Sequence, residues 1–147
     1  MDMGEMTELI VRRGIYSVPP NATVAEASRI LEQYRIGSVV VIAGETFLGI
    51  ATEQDFSRII HRRLPPETSI TEIMTPQEDV IFATPDTGRL ECLHRMRKYG
   101  FQHLPFKMSE SDKKVVGILS IRDLAFDFAN LEEQGRLQQE GYLDSAS

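Results

Sequence analysis

The sequence has a single cysteine, no long apolar run and no pattern of a secretion signal at its N-terminus. Cys92 is the single cysteine, so no disulfide can form within the chain, and the surrounding Leu90, Leu93 and Met96 predict that it packs as a small apolar side chain. The longest strongly apolar run, residues 39–43, is far shorter than the roughly 20 residues that cross a bilayer. The acidic first residues do not have the basic-then-apolar order of a secretion signal. We therefore expect a cytoplasmic protein without a membrane span.

Positive charge is also in short supply. The 147 residues include 16 Lys and Arg against 22 Asp and Glu, which gives a formal net charge of −6. A nucleic-acid groove needs a basic face and usually stacking aromatics, so no nucleic-acid partner is expected. The one strong basic run, residues 61–63, has the character of a solvated helix end, where cations complement the helix dipole.

Signatures of catalysis and of metal binding are missing as well. The sequence contains no Walker-type phosphate loop, no Gly-x-Ser-x-Gly motif and no His-Glu-x-x-His pair. The three histidines, His61, His94 and His103, are not at metal-ligand spacing, and Cys92 has no evident base beside it. We expect no enzyme activity, no catalytic residues and no metal site.

What the sequence does contain is a duplication. Residues 49–55, GIATEQD, are repeated as residues 117–123, GILSIRD. Upstream of these motifs Pro85 lies 65 residues after Pro20, and the separation grows to 68 at the motifs because the polar run 108–114 lengthens the second copy. The predicted organisation is a first domain at 10–64, a linker at 65–77, a second domain at 78–130 and a helical tail at 131–147.

Each copy has the same local pattern, which predicts the element order β-α-β-β-α. Thr23 and Glu26 have the spacing of a capping box at the start of the first helix. In the linker, residues 70–74 indicate one helical turn, and Pro76 favours an extended backbone at Thr75. The fold class is α+β, with two copies packed about a pseudo-twofold axis. The predicted strands are 16–19, 38–43 and 47–51, then 81–84, 103–107 and 115–119; helices follow from Glu53 and from Ile121, the latter reaching about residue 139.

The repeated motif allows two interpretations. A Thr or Ser three residues before an acid suits a helix cap, and Asp in the first turn suits the helix dipole. In the second interpretation Asp55 and Asp123 accept hydrogen bonds from the two hydroxyls of a ribose. Thr52 and Ser120 would then donate to a phosphate, together with the N–H groups that begin the following helix, such as that of Ile121. Backbone groups near Tyr16 and Ile81 would read the adenine edge, and the cleft between the copies would hold up to two ligands.

The chain resembles a tandem pair of CBS domains, the Bateman module. The resemblance spans most of residues 10 to 130 and is carried by residues 19–27, by Glu-Ile-Met-Thr-Pro at 72–76, by His-Leu-Pro at 103–105 and by both motifs. It implies an adenosyl ligand, which is AMP, ADP, ATP or NAD and less readily S-adenosylmethionine, with no cofactor required. It also implies a homodimer and a regulated effector protein.

The resemblance adds further candidate site residues. His103, Pro105 and Arg122 belong to the second copy, whereas the first copy has Gly37-Ser38-Val39-Val40 where the second has Gln-His-Leu-Pro, which argues against phosphate binding in the first copy. His103 faces a phosphate or is satisfied at a sheet edge, and Arg122 reaches a phosphate or points to solvent. Arg35 and Lys107 are weaker candidates. The alternative to a nucleotide sensor is a dimeric interaction scaffold without a ligand.

Overall fold

The first element of the described chain is a helix that was not among the predicted elements. In the computed structural model, which describes the backbone of residues 2–146 and side chains to residue 130 and at 132, 133 and 135, helix α1 spans Met3–Arg13. The carboxylate of Asp2 caps it by accepting the N–H of Glu5 at 2.8 Å. It ends at Gly14, whose φ of 65° an L-residue rarely adopts.

The first repeat forms the predicted elements. Strand β1 is Ser17–Val18, helix α2 is Val24–Tyr34, strands β2 and β3 are Ser38–Ala43 and Thr46–Thr52, and helix α3 is Glu53–Arg62. Strand β1 pairs parallel with β2, and β2 pairs antiparallel with β3. The side chain of Thr23 caps α2 by accepting the N–H of Glu26 at 3.1 Å, as the spacing of these two residues predicts.

The linker adds a fourth strand to this sheet. A 3₁₀ turn at Ile70–Glu72 precedes strand β4, Thr75–Pro76, and a second 3₁₀ turn at Gln77–Asp79 follows it. Strand β4 pairs antiparallel with β3, so that the sheet order is β1-β2-β3-β4. The helical turn and the extended Thr75 agree with the prediction. The segment between the repeats is thus part of the sheet of the first repeat.

The second repeat is less regular than the first. Its elements are helix α4, Arg89–Tyr99, strands β5 and β6, His103–Phe106 and Gly117–Ser120, and helix α5, Ile121–Ala146. The strand predicted at 81–84 is reduced to a single parallel bridge between Ala83 and Phe106. The next N–H, that of Thr84, donates to the hydroxyl of Thr87 at 3.0 Å, and a local side-chain bond of this kind competes with sheet pairing. The α+β fold class is confirmed.

Three clusters of buried apolar side chains hold these layers together. One joins α1 to the second repeat and includes Met6, Ile10 and Cys92; another fills the first repeat. The third contains Val40, Phe47 and Ile50 of the first repeat together with Val80 and Val115, and so connects the two repeats. The burial of Cys92 agrees with the prediction and raises its thiol pKa to about 11, which keeps it protonated at neutral pH.

The backbone of α5 is helical to Ala146, and Ser147 of the predicted tail lies outside the described residues. The side chains that would show what this tail packs against, from residue 136 onward, lie outside them as well. None of the helices described between residues 2 and 146 is both long enough and apolar enough to span a bilayer.

Candidate functional site

The glycine that begins each repeated motif lies directly against another segment of the chain. A Cβ atom on Gly49 would collide with the carbonyl oxygen of Thr75 in β4 and lie 2.9 Å from the sulfur of Met74. A Cβ atom on Gly117 would collide with the side chain of Ile10 in α1 and lie 2.8 Å from its carbonyl oxygen. The repeated glycine therefore allows close packing, by the linker strand in the first repeat and by α1 in the second.

At the start of α5 the motif forms a reciprocal cap. The N–H of Ser120 donates to Oδ2 of Asp123 at 2.9 Å, and the N–H of Asp123 donates to the hydroxyl of Ser120 at 3.2 Å. The N–H of Ile121 donates to the carbonyl of Gln102 at 2.9 Å, so it already has an acceptor. The geometry therefore does not support the predicted hydrogen bond from this N–H to a phosphate. The hydroxyl of Ser120 accepts a hydrogen bond from Asp123, and its own proton can still be donated to a ligand.

At the start of α3 the carboxylate of Asp55 turns back in the same way. Its Oδ2 accepts the backbone N–H of Thr52 at 2.8 Å and the Thr52 hydroxyl at 3.3 Å, while Oδ1 lies 3.4 Å from a guanidinium nitrogen of Arg58. Burial raises the pKa of Asp55, and the bonds from Thr52 and the charge of Arg58 offset only part of this rise. Both motif aspartates thus serve as helix caps, and their surroundings decide what else they can bind.

A cleft of about 510 Å³ lies where the second motif faces the first repeat. It is bounded by the turn after α1, by the segment between α2 and β2, by Glu53 and by the starts of β5 and α5. Its lining residues are 13–16, 35–38, 53, 102–103, 118 and 120–123. The cleft therefore draws its walls from both repeats, as expected for a ligand site between them.

The structure divides the predicted site residues into two groups. Those lining the cleft are Tyr16, His103, Ser120, Ile121, Arg122 and Asp123, together with the weaker candidate Arg35. Those placed elsewhere are Thr52 and Asp55 at the start of α3, Pro105 buried in β5, and Ile81, which lines a separate cavity beside α4. The weaker candidate Lys107 lies over the ring of Phe82, 3.9 Å from its centroid.

Arg13 is the cleft residue outside the prediction that contacts a predicted one most directly. Arg13, the last residue of α1, grips the Asp123 carboxylate with both ends of its guanidinium, Nη1 to Oδ1 at 2.8 Å and Nη2 to Oδ2 at 2.8 Å. Burial raises the pKa of Asp123, but the Arg13 hydrogen bonds, helped by those from Ser120, more than reverse this and leave the pKa below its usual range. The same hydrogen bonds raise the pKa of Arg13. Because 110 residues separate the pair, no local pattern reveals it.

His103 pairs with Ser120 across β5 and β6, and its imidazole lies against Gly37. A Cβ atom on Gly37 would lie 2.8 Å from Nε2 of His103, so the bare glycine leaves room for the imidazole. Burial lowers the pKa of His103, with Arg122 acting in the same direction and the carboxylates of Glu53 and Asp123 opposing it. The imidazole is therefore mostly neutral at pH 7.

Among the residues that the structure describes, no group of three or more His, Cys, Asp and Glu side chains is arranged to hold a metal ion. The cleft is lined instead by the carboxylates of Glu53 and Asp123, by three hydroxyl groups, by the imidazole of His103 and by three guanidinium groups, those of Arg13, Arg35 and Arg122. This set is suited to hydrogen bonding with a polyhydroxylated, anionic small molecule.

Comparison with known proteins gives one consistent family. The model of the CBS domain matches twice, at residues 6–62 and 65–129. A 17.7 kDa protein of Acidianus ambivalens is 36% identical over 124 residues, which cover 84% of this chain and 73% of the relative. A CBS domain-containing protein of Arabidopsis thaliana, CBSX3, is 33% identical over 107 residues, 69% of this chain and only 50% of the relative, so this chain corresponds to about half of that protein.

Solved structures agree with this result. A CBS domain protein of Pyrobaculum aerophilum, whose structure was determined in complex with AMP, superposes with a TM-score of 0.70 at 26% sequence identity, covering 84% of this chain and 93% of that one. The duplicated motif, the shared central core and the two family matches lead to the same assignment: the chain belongs to the CBS domain family and contains a tandem pair of its domains.

Proposed function

We propose that the chain is a regulatory module that binds an adenosyl ligand in the cleft between its repeats and transmits the binding to a partner protein. The observation that carries this proposal is the position of Asp123, whose carboxylate lies in a cleft of about 510 Å³ lined by both repeats. Sites for small molecules are commonly clefts of this size with a few convergent polar groups. The ligand is bound and released without chemical conversion.

Each cleft group has a task in this proposal. The carboxylate of Asp123 accepts the two hydroxyls of a ribose, and the hydroxyl of Ser120 donates to a phosphate. Arg35 and Arg122 lie within the same walls and supply positive charge for further phosphates. The extended segment at Tyr16, whose carbonyl accepts the N–H of Val40 at 2.9 Å, forms the wall against which the adenine lies.

The ligands that fit these tasks are AMP, ADP, ATP and NAD. The Pyrobaculum aerophilum relative supports the choice, because its structure contains AMP. S-Adenosylmethionine is a poorer fit, since its sulfonium would enter a cleft that already contains three arginine side chains. We propose one ligand per chain, at Asp123, because Asp55 is not part of this cleft.

Regulation requires that the ligand bind two arrangements of the protein with different affinities. A ligand that contacts the turn after α1 and the start of α5 at once favours the arrangement in which these segments are close. We further propose that two chains form a homodimer and that an effector protein responds to the change. Large apolar side chains are exposed on the helices that follow the motifs, Ile60 at 84% and Phe126 at 74%, and provide surface for such contacts.

A dimeric scaffold without a ligand is the second candidate. The observation in its favour is that both motif aspartates cap their own helices, and that Asp123 is also paired with Arg13. In that case the motifs have a structural role alone. The exposed Ile60 and Phe126 would then carry the whole function.

The two candidates separate in a melting experiment. A ligand that binds only the folded state at 100 times its Kd stabilises the fold by about 2.7 kcal/mol, which is a shift of several degrees for a chain of this size. We expect such a shift with at least one of AMP, ADP, ATP and NAD, and mass spectrometry of small molecules released from the purified protein should identify the same compound. A melting temperature unchanged by all four compounds would contradict the nucleotide proposal and favour the scaffold. Analytical ultracentrifugation would then test whether the chain forms the dimer that the scaffold requires.

A further inference from the structure

We infer that Arg13 makes the cleft selective for adenosyl ligands that carry a phosphate over those that do not. The inference rests on the proposed function and adds to it a residue that determines specificity. Its basis is the geometry of Asp123. The carboxylate that would accept the ribose hydroxyls already forms an ion pair with Arg13.

The oxygens of Asp123 are well occupied before any ligand arrives. Oδ1 accepts from Nη1 of Arg13, and Oδ2 accepts from both Nη2 of Arg13 and the N–H of Ser120. The Asp123 side chain is only 10% exposed and both of its oxygens accept from Arg13, so a diol must compete with Arg13 for them. A ribose therefore displaces at least one of the two Arg13 bonds.

The backbone of Arg13 stays beside the cleft when this happens. Its helix is anchored in the core by Met6 and Ile10, which are 1% and 0% exposed, and Gly117 of β6 packs directly against Ile10. The Arg13 side chain itself is 45% exposed, which leaves it room to turn within the cleft. The displaced guanidinium thus remains within reach of a bound ligand while it loses its carboxylate partner.

The displaced Arg13 then needs another anion. Two other guanidinium groups, those of Arg35 and Arg122, line the same cleft, so its three arginine side chains outnumber the carboxylates of Glu53 and Asp123. A phosphate offers the planar, two-point acceptor that matches a guanidinium fork. The ribose of any adenosyl ligand breaks a hydrogen bond between Arg13 and Asp123. A ligand with a phosphate offers Arg13 a new acceptor, whereas adenosine offers none.

Calorimetry with AMP and adenosine tests this directly, because the two differ by one phosphate. The variant is Arg13→Gln, and the control is Arg12→Gln, which removes the same charge from the adjacent exposed position. We expect Arg13→Gln to bind AMP more weakly and adenosine equally or more tightly than the parent, so that the AMP-to-adenosine preference falls about tenfold or more. The control should keep the preference of the parent.

The outcomes separate this inference from the proposed function. If AMP binds the parent, and Asp123→Asn weakens that binding about tenfold or more while Arg13→Gln leaves the preference unchanged, the proposed site survives and the role of Arg13 is refuted. If no adenosyl compound binds the parent, the proposed function fails and the inference fails with it. Should Arg13→Gln unfold, Arg13→Lys keeps the charge without the fork, and a preference lower than that of the parent supports the inference whereas an unchanged one overturns it.

Discussion

The two motif aspartates have the same local structure and different surroundings. Both accept the N–H of the residue three positions earlier, at 2.8 Å for Asp55 and 2.9 Å for Asp123. Asp55 is 4% exposed and its cationic neighbour, Arg58, belongs to its own helix, whereas Asp123 lines the cleft and is bonded to Arg13, which lies 110 residues earlier in the sequence. The duplication has thus kept the helix cap in both copies and placed the carboxylate of the second copy in the cleft.

The source of this difference is visible in the segments that precede each repeat. At the repeat spacing of 65 residues, the counterpart of Arg13 is Glu78, an acid in a short 3₁₀ turn. A carboxylate there cannot pair with Asp55 in the way that Arg13 pairs with Asp123. The difference between the two motifs therefore comes mainly from the segments that pack on them, which are the linker at the first motif and α1 at the second.

The largest expected effect is on ligand binding. Asp123→Asn removes a charged acceptor of the ribose, and because each charge-assisted hydrogen bond contributes about 1.5–3 kcal/mol, AMP affinity should fall about 10-fold to 100-fold. Asp55→Asn is the matched control, since it makes the same change outside the cleft, and it should leave the affinity within about threefold. Titration calorimetry measures both, and equal losses in the two variants would contradict the assignment of the site to the second motif.

The next effect concerns the two motif glycines and acts on stability. Gly49→Ala forces a Cβ into the Thr75 carbonyl and Gly117→Ala forces one into Ile10, and overpacking of this kind costs about 1–3 kcal/mol. We expect Gly49→Ala to cost more, because its nearest neighbour is a backbone atom that cannot rotate away. Gly88→Ala is the control, as its Cβ would meet nothing within 4 Å. Urea unfolding measures the three, and a Gly117→Ala variant as stable as the parent would refute the close packing of α1.

The repeat architecture could be predicted because its signals are local. The separation of the copies, the capping spacing of Thr23 and Glu26 and the turn that Pro76 ends are all encoded within a few residues of each element. Helix α1 carries a comparable local signal, because Asp2 and Glu5 have the same spacing as Thr23 and Glu26. Its position could not be predicted, because that depends on the packing of Met6 and Ile10 on a strand more than 100 residues away. The lost strand near Ala83 is a further case, where the Thr84–Thr87 bond overrides a sequence that favours extension.

The site was predictable only as far as the motif. The spacing of Thr52 and Asp55 is the same as that of Ser120 and Asp123, and a helix cap satisfies it equally well in both copies. Which carboxylate faces a cleft depends on the segments that cover each motif, and these differ in sequence. Arg13 could not be identified for the same reason, because its role exists only once α1 is docked.

The pH dependence of stability should differ in sign between the two aspartates. The pKa of Asp123 lies below its ordinary value, so its ionised form stabilises the fold above pH about 4, and this contribution is lost as the pH falls through the lowered value. The pKa of Asp55 lies above its ordinary value, so its ionisation opposes folding at neutral pH, and the cost disappears as the pH falls.

Unfolding measured at several pH values sharpens this contrast. At pH 7 Asp123→Asn should lose about 1 kcal/mol, since its partner Arg13 is half exposed, and the loss should shrink toward pH 3. Asp55→Asn keeps an oxygen that can accept the Thr52 N–H and removes a buried charge, so at pH 7 it should be neutral or slightly stabilising. A loss in Asp55→Asn as large as that in Asp123→Asn would show that the two carboxylates have the same energetic role.

The smallest expected effect compares His103 with Ser38, its counterpart in the first repeat. In the cleft His103 faces the carboxylates of Glu53 and Asp123 and the guanidinium of Arg122, and burial keeps its pKa low. If the imidazole also faces a phosphate, binding should tighten between pH 7.5 and 5.5 as the ring gains its proton, by about fivefold at most for a partly exposed pair. The phosphate titrates in the same range, so the informative quantity is the difference between the parent and His103→Gln. A steeper pH dependence in the parent places His103 at the phosphate, whereas identical slopes leave it as a histidine satisfied at the sheet edge, filling the space that Gly37 provides.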